Sequence, residues 1–217
     1  MRLLDRRRAL MTVKIGSTPI LPSEYQQVEW ISRSDAASDN GYIDTGFIPT
    51  PQSSMYARFA AVGTQQTTNF LGSRDGTTGA NNAFLIVSFS SARKIGYMRW
   101  GSSVQCIAYD TIFHDFELTP TTAKIDGTSY ALAAPITTQS SSKTIYFFRE
   151  LAGSATRKTN NIKLSRCIFG DNGVIMHDFI PCYRKQDGKI GVYDITTNTF
   201  IAVLGNGANP QKGPDIN

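Results

Sequence analysis

Three cysteines, two histidines and four glutamates are all that 217 residues hold of the side chains that most often perform chemistry. So few cysteines, odd in number, give no disulfide framework and point to assembly in a reducing cytoplasm. His114 and His177 are the only histidines, and no Cys-x-x-Cys or His-x-x-x-His spacing exists, so an ordinary zinc site lacks its ligands. No strained Gly-x-Ser-x-Gly turn is present. No stretch reaches the roughly 20 apolar residues that a membrane-spanning helix requires. Arg6-Arg7-Arg8 imitates the basic start of a signal peptide, but Lys14 interrupts the apolar run after Ala9 too early, and export by that route is not expected.

Charge is also sparse, at 18% of residues, and unevenly placed. The formal net charge is +5, yet Arg2, Arg6, Arg7 and Arg8 against Asp5 already put +3 into the first eight residues. The body is close to neutral. No basic stripe interleaved with stacking aromatics runs through it, so nucleic acid is not an expected partner. Residues 1–22 combine this basic stretch with Leu3, Leu4, Leu10 and Met11 and end in the Gly16-Ser-Thr-Pro19 breaker. They are expected to form an arm outside the body, either an anchor on a neighbouring subunit through Arg2, Arg6, Arg7 and Arg8 or a frayed, solvated end.

What is abundant is Gly, Ser, Thr and Asn, with 41% hydrophobic and 11% aromatic residues, a composition suited to strands and turns. From Tyr25 onward fifteen short strand candidates follow one another, among them Gln27–Ser32, Ser54–Val62, Ala83–Ser90, Lys94–Trp100, Thr111–Leu118, Lys163–Phe169 and Val174–Pro181. Asp126-Gly127 and Asn172-Gly173 each separate two apolar runs, a strong short-range hairpin signal, and Gln186-Asp187-Gly188 and Thr197-Asn198 mark two more turns. No ten-residue helical period appears in the body. The fold class is therefore all-β, an antiparallel two-sheet β-sandwich over residues 23–217, with Leu85, Val87 and Phe89 expected to face the interior. A hairpin at Asn172-Gly173 makes partner positions sum to about 345. Cys167 then faces residue 178 or so, and a Cys167–Cys182 bridge is not expected.

Catalysis finds little support. Glu24, Glu29, Glu117 and Glu150 are the only glutamates, and none stands in the Glu-x-Asp-x-x-Glu pattern that sets two carboxylates about 5–5.5 Å apart for retaining glycoside hydrolysis. Asp115 and Glu117 share a strand face, as any solvated face would arrange them. Asp75 beside Gly76, and Asp171 with Asn172, offer oxygens to calcium, though turn formation explains the same residues; no other cofactor is implied. Sugar binding asks for flat aromatic faces and a few planar polar groups on a shallow surface. Alternation supplies Tyr97 with Arg99, Tyr56 with Arg58, and Trp100 at a strand end before Gly101. Either these form an outward contact patch, or the tyrosines merely cover the sheet and Trp100 packs in the core.

Several segments resemble one family. Leu21-Pro-Ser-Glu-Tyr-Gln-Gln-Val-Glu-Trp-Ile31, Gly41-Tyr-Ile-Asp-Thr-Gly-Phe-Ile-Pro49, Phe70-Leu-Gly-Ser-Arg-Asp-Gly76, Phe116–Ile125 with Asp126-Gly127, and Asp178-Phe-Ile-Pro-Cys-Tyr-Arg-Lys185 are similar to the concanavalin A-like, laminin-G-like sandwich proteins of gut bacteriophages and prophages. The likeness covers residues 21 to about 205. It implies a jelly roll of the lectin and glucanase type in a virion assembled in the bacterial cytoplasm. On that resemblance the expected role is a non-enzymatic adhesin that binds host-surface carbohydrate, with other virion proteins and further copies of itself as partners. A capsid decoration or fibre component touching only virion proteins is the alternative, because this sandwich carries many functions.

Overall fold

The computed structural model describes residues 19–34, 40–63, 69–75, 82–135, 137–152, 155–159 and 161–217. The expected arm residues Arg2, Arg6, Arg7 and Arg8, and Gly76, lie outside them. In chain order the strands are β1 (Tyr25–Gln27), β2 (Ile31–Ser32), β3 (Ile43–Asp44), β4 (Ser53–Ala61), β5 (Asn69–Arg74), β6 (Ala83–Phe89), β7 (Lys94–Arg99), β8 (Ser102–Ala108), β9 (Phe113–Leu118) and β10 (Ala123–Ile125). They continue with β11 (Thr128–Tyr130), β12 (Tyr146–Phe147), β13 (Arg149–Ala152), β14 (Ala155–Lys158), β15 (Ile162–Asp171), β16 (Val174–Arg184), β17 (Ile190–Asp194), β18 (Thr199–Ala202) and β19 (Gln211–Lys212). Helical structure among the described residues is limited to the 3-10 turn Ser90–Ala92.

Two sheets result. One runs β11-β10-β9-β4-β15-β16-β17-β18, with β1 on β16, β2 on β15 and β19 on β2; the other runs β14-β13-β5-β6-β7-β8, with β12 joining β3 to β5. Pairing is antiparallel except where β13 meets β5 at Ala152 and Arg74. The turn chemistry explains the hairpins. Asp126, Gly127, Asn172 and Gly173 all have positive φ, at 51°, 78°, 50° and 78°, the two-residue geometry that matches strand twist and that Asn, Asp and Gly tolerate. The β15–β16 register sums to 345 at Asp171↔Val174, and a bulge after Phe169 raises it to 346, so Cys167 faces Phe179. All three cysteines are free thiols.

The core lies between the sheets. Met55, Ala57 and Phe59 of β4, Phe116 and Leu118 of β9, and Leu164, Cys167 and Phe169 of β15 meet Phe70, Phe84, Ile86, Ile95, Tyr97 and Phe147 from the other sheet. Phe59 stacks on Phe116 at 4.3 Å, and Phe47 on Phe169 at 4.9 Å. Each such side chain contributes about 1.5–3 kcal/mol through its removal from water. The expectation for β6 is corrected in its parity. Phe84 and Ile86 point into the inter-sheet core; Leu85 and Val87 are buried too, but on the opposite face, and Phe89 is only half-buried. A strand covered on both faces shows no apolar–polar alternation from which its inward side can be read.

Candidate functional site

The residues singled out for an outward patch are not brought together as one. Tyr97 and Arg99 share a face, as alternation requires, but it is the inner one: both are fully buried. The Tyr97 hydroxyl donates to the carbonyl of Lys124, and Arg99 donates to the carbonyls of Thr119 and Ala133, the latter at 2.8 Å. The guanidinium thus clamps the β9–β10 turn and the segment after β11. Burial pushes the Tyr97 phenol up and the Arg99 guanidinium down. Trp100 is fully buried rather than at a rim; it packs on Phe84 at 6.1 Å with φ of 40°. On β4 the parity expectation holds, since Met55, Ala57 and Phe59 enter the core opposite Tyr56 and Arg58. Both outer residues are committed to Asp115, however, at 2.8 Å from Tyr56 and 3.0 Å from Arg58. Burial first, and the bond to Asp115 second, push the Tyr56 phenol well above its ordinary range.

The other sequence candidates serve the scaffold. The carboxylate of Asp171 accepts hydrogen bonds from the Thr50 and Ser53 hydroxyls and from the side-chain amide of Asn172, and that of Asp75 accepts from Ser141 and Ser142. Among the described residues no group of three or more His, Cys, Asp or Glu side chains is arranged to hold a metal ion. Asp115 pairs with Arg58, and Glu117 lies 3.9 Å from Lys124. His177 contacts Asp194 at 2.8 Å, and Asp194 also accepts from the Asp178 and Thr196 amides and the Thr197 hydroxyl, so this carboxylate pins the β17–β18 turn. Burial alone would raise the carboxyl of Asp194, but these donors, led by His177, hold it below the usual range.

An open cleft of about 620 Å³ lies elsewhere, lined by Asn40, Tyr42, Arg149, Gly205 and Asn206. Its walls follow from strand alternation. Ile43 of β3 and Phe147 of β12 are fully buried in the core, which turns Tyr42, Asp44 and Tyr146 to the other face. Tyr146 pairs with Asp44 across the strands, and the rings of Tyr42 and Tyr146 stack at 5.1 Å and 9°, both half-buried. Two reciprocal 2.9 Å backbone hydrogen bonds between Tyr42 and Leu204 bring Gly205 and Asn206 to the opposite wall. There Gly205 has φ of 119°, and a Cβ at this position would lie 2.3 Å from the Asn40 carbonyl oxygen. Only glycine permits that approach. Phe148, at φ of 68°, bends the chain between β12 and β13 and sets Arg149 on the rim. Arg149 Nη1 reaches both the main-chain and the side-chain oxygen of Asn40 at 3.4 Å. Burial, then the charge and hydrogen bond of Asp44, raise the Tyr146 phenol.

Tyr42, backed by the Tyr146 ring stacked on it, with two carboxamides and one guanidinium around an open cleft, matches what a polyhydroxylated ring needs: apolar ring area for its C–H face and planar groups for its hydroxyls. Sequence reading missed all five lining residues. The alternation of Tyr42-Ile43-Asp44 was visible, but nothing local announces that Leu204–Asn206 will lie across from it.

No family model matches the chain, and no curated protein matches it. Among solved structures it is similar to a "putative carbohydrate binding protein" from Bacteroides ovatus, with a TM-score of 0.54 over 88% of this chain and 11% sequence identity. This chain spans 62% of that one. The likeness is one of fold: a nearly all-β sandwich of two sheets. No helix among the described residues is long and apolar enough to cross a membrane.

Proposed function

We propose that this protein is a carbohydrate-binding β-sandwich carried on a bacteriophage particle, where it contacts host-surface glycan without acting on it. The observation that carries the reading is the cleft with the stacked Tyr42–Tyr146 pair beside Asn40, Arg149 and Asn206. The carbohydrate-binding description of the Bacteroides ovatus neighbour supports the ligand class. The virion setting rests on the resemblance of residues 21–205 to phage sandwich proteins. Residues 1–22 would be the anchor to other virion proteins, and several copies on one particle would turn weak single-site affinity into useful avidity.

The test is a glycan array followed by binding isotherms for Tyr42→Ala and Tyr146→Ala. Removing one stacking ring should cost on the order of 1–2 kcal/mol, about tenfold in affinity, with little change in melting temperature. Binding that ignores both substitutions sinks the site. Deletion of residues 1–15 should spare the sandwich and abolish incorporation into particles.

A second reading, a structural ornament contacting only virion proteins, is favoured by one observation. Val174, Ile175 and Met176 are 61%, 42% and 44% exposed just after the Asn172-Gly173 turn, in a stretch of β16 that β17, whose pairing begins at Phe179, does not cover. Exposed apolar side chains on an unpaired edge suit a protein partner. Failure of every glycan to bind would leave this reading standing.

A further inference from the structure

We infer that the cleft selects saccharides bearing a carboxylate, with Arg149 as the residue that recognises it; this rests on the glycan-binding reading above. Four other arginines, Arg58, Arg74, Arg166 and Arg184, each have a carboxylate oxygen within 3.0 Å, from Asp115, Glu150, Asp178 and Asp187. Arg149 differs. Among the described residues its partners are the two neutral oxygens of Asn40, both at the long distance of 3.4 Å, and its Nε is buried without a partner. The guanidinium is therefore held in place, half-buried on the rim of a cleft, with its charge unmatched.

The rest of the lining contributes no competing anion. Asn40, Tyr42, Gly205 and Asn206 are neutral. Asp44, the nearest acid on the tyrosine wall, is already engaged by the Gly46 amide at 3.0 Å and by the Tyr146 hydroxyl. A half-buried, fixed guanidinium gains more from an anionic acceptor than from a neutral hydroxyl, because charge-assisted hydrogen bonds are about twice as strong and water screens them less here. The terminal Nη groups are the donors available, since Nε is enclosed. Tyr42, backed by Tyr146, would then carry the sugar face while Arg149 holds the acid group of a uronic or sialic acid.

The probes are oligogalacturonate and sialyllactose, each set against a neutral counterpart, methyl-esterified oligogalacturonate and lactose, in titrations on the full chain. At least one acidic form should bind about tenfold more tightly than its neutral partner, and the preference should shrink as salt rises. Arg149→Gln should erase the difference, Arg149→Lys should retain part of it, and Tyr42→Ala should weaken both forms alike. Equal affinity for acidic and neutral forms in the unaltered protein overturns the inference while leaving glycan binding intact, as does a preference that survives Arg149→Gln. Absence of binding to all four probes overturns the inference, and overturns the glycan-binding reading as well only if the glycan array is blank too.

Discussion

Raising the pH should loosen one corner of the sandwich, because His114 stands between two carboxylates. Its Nδ1 lies 2.5 Å from Asp126 and its Nε2 3.0 Å from Asp110, while the ring packs edge-on against Phe116 in the core. Burial alone would lower the imidazole, but the bonds to Asp126 and Asp110 outweigh it and hold the pKa above the ordinary 6.5. The imidazolium thus ties the β10–β11 turn, and the segment before β9, to the sheet. Stability from this tie is fully present below about pH 6.5 and is lost as pH rises through the elevated folded value. Asp126 mirrors the interaction from the acid side. Although burial pushes its carboxyl up, the Asp115 amide and His114 bring it below 3.8, so its share is present above that value and fades as pH falls through the depressed one. These are two views of one interaction and are counted once. Two charge-assisted bonds would contribute several kcal/mol if dry, but the carboxylate side chains are 49% and 41% exposed. Discounting for solvent leaves about 1–2 kcal/mol, roughly 2–8 °C in melting temperature for a chain of this length. The assay is the thermal midpoint from pH 5.5 to 9.5 for the unaltered protein, His114→Gln and Asp126→Asn. A flat profile in the unaltered protein, or the same alkaline fall in His114→Gln, refutes the reasoning.

Trp100→Ala should destabilise by about 3–5 kcal/mol in urea unfolding and leave glycan affinity unchanged in the folded fraction, as its full burial requires. Asp178→Ala should cost about 3–5 kcal/mol by the same measurement, since it strands Arg166, which now holds Asp178 at 3.0 and 2.7 Å in a largely buried pair. Gly205→Ala should displace Asn40 and weaken glycan binding while costing about 1 kcal/mol or more of stability, read by titration and melting together. Burial pushes the Cys106 and Cys182 thiols up to about 12 and Cys167 well above its usual range, so iodoacetamide at pH 8 should label none of the three quickly until the protein is unfolded.

How much could be read from residues alone differs from place to place, for physical reasons. Asp126-Gly127 and Asn172-Gly173 were legible because left-handed turn geometry is a local demand, satisfied by few residue types. The partner of Cys167 was placed within one residue, and the error is the bulge after Phe169, which no local pattern encodes. Gln27–Ser32, read as one strand, is divided between β1 and β2, which pair with different partners, and β19 was hidden in a Gly/Asn/Pro tail. The arginine of β7 misled for another reason. Arg99 looked outward because charge belongs at the surface, yet two backbone carbonyls supply its acceptors inside. The cleft escaped notice because its walls come from Asn40, Tyr42, Arg149, Gly205 and Asn206, and only the fold brings them within reach of each other.

The way the last residues return to the first strands has a mechanical meaning. Gln211 and Lys212 pair with Ser32 and Ile31, Asp215 bridges to Val28, and β1 lies along β16. If a particle holds the chain by residues 1–22 and a host surface tugs at Tyr42, tension enters and leaves within some twenty residues. That short path includes β1 and β2, so the ladders that tie them to β16, β15 and β19 would meet the load before the rest of the sandwich does.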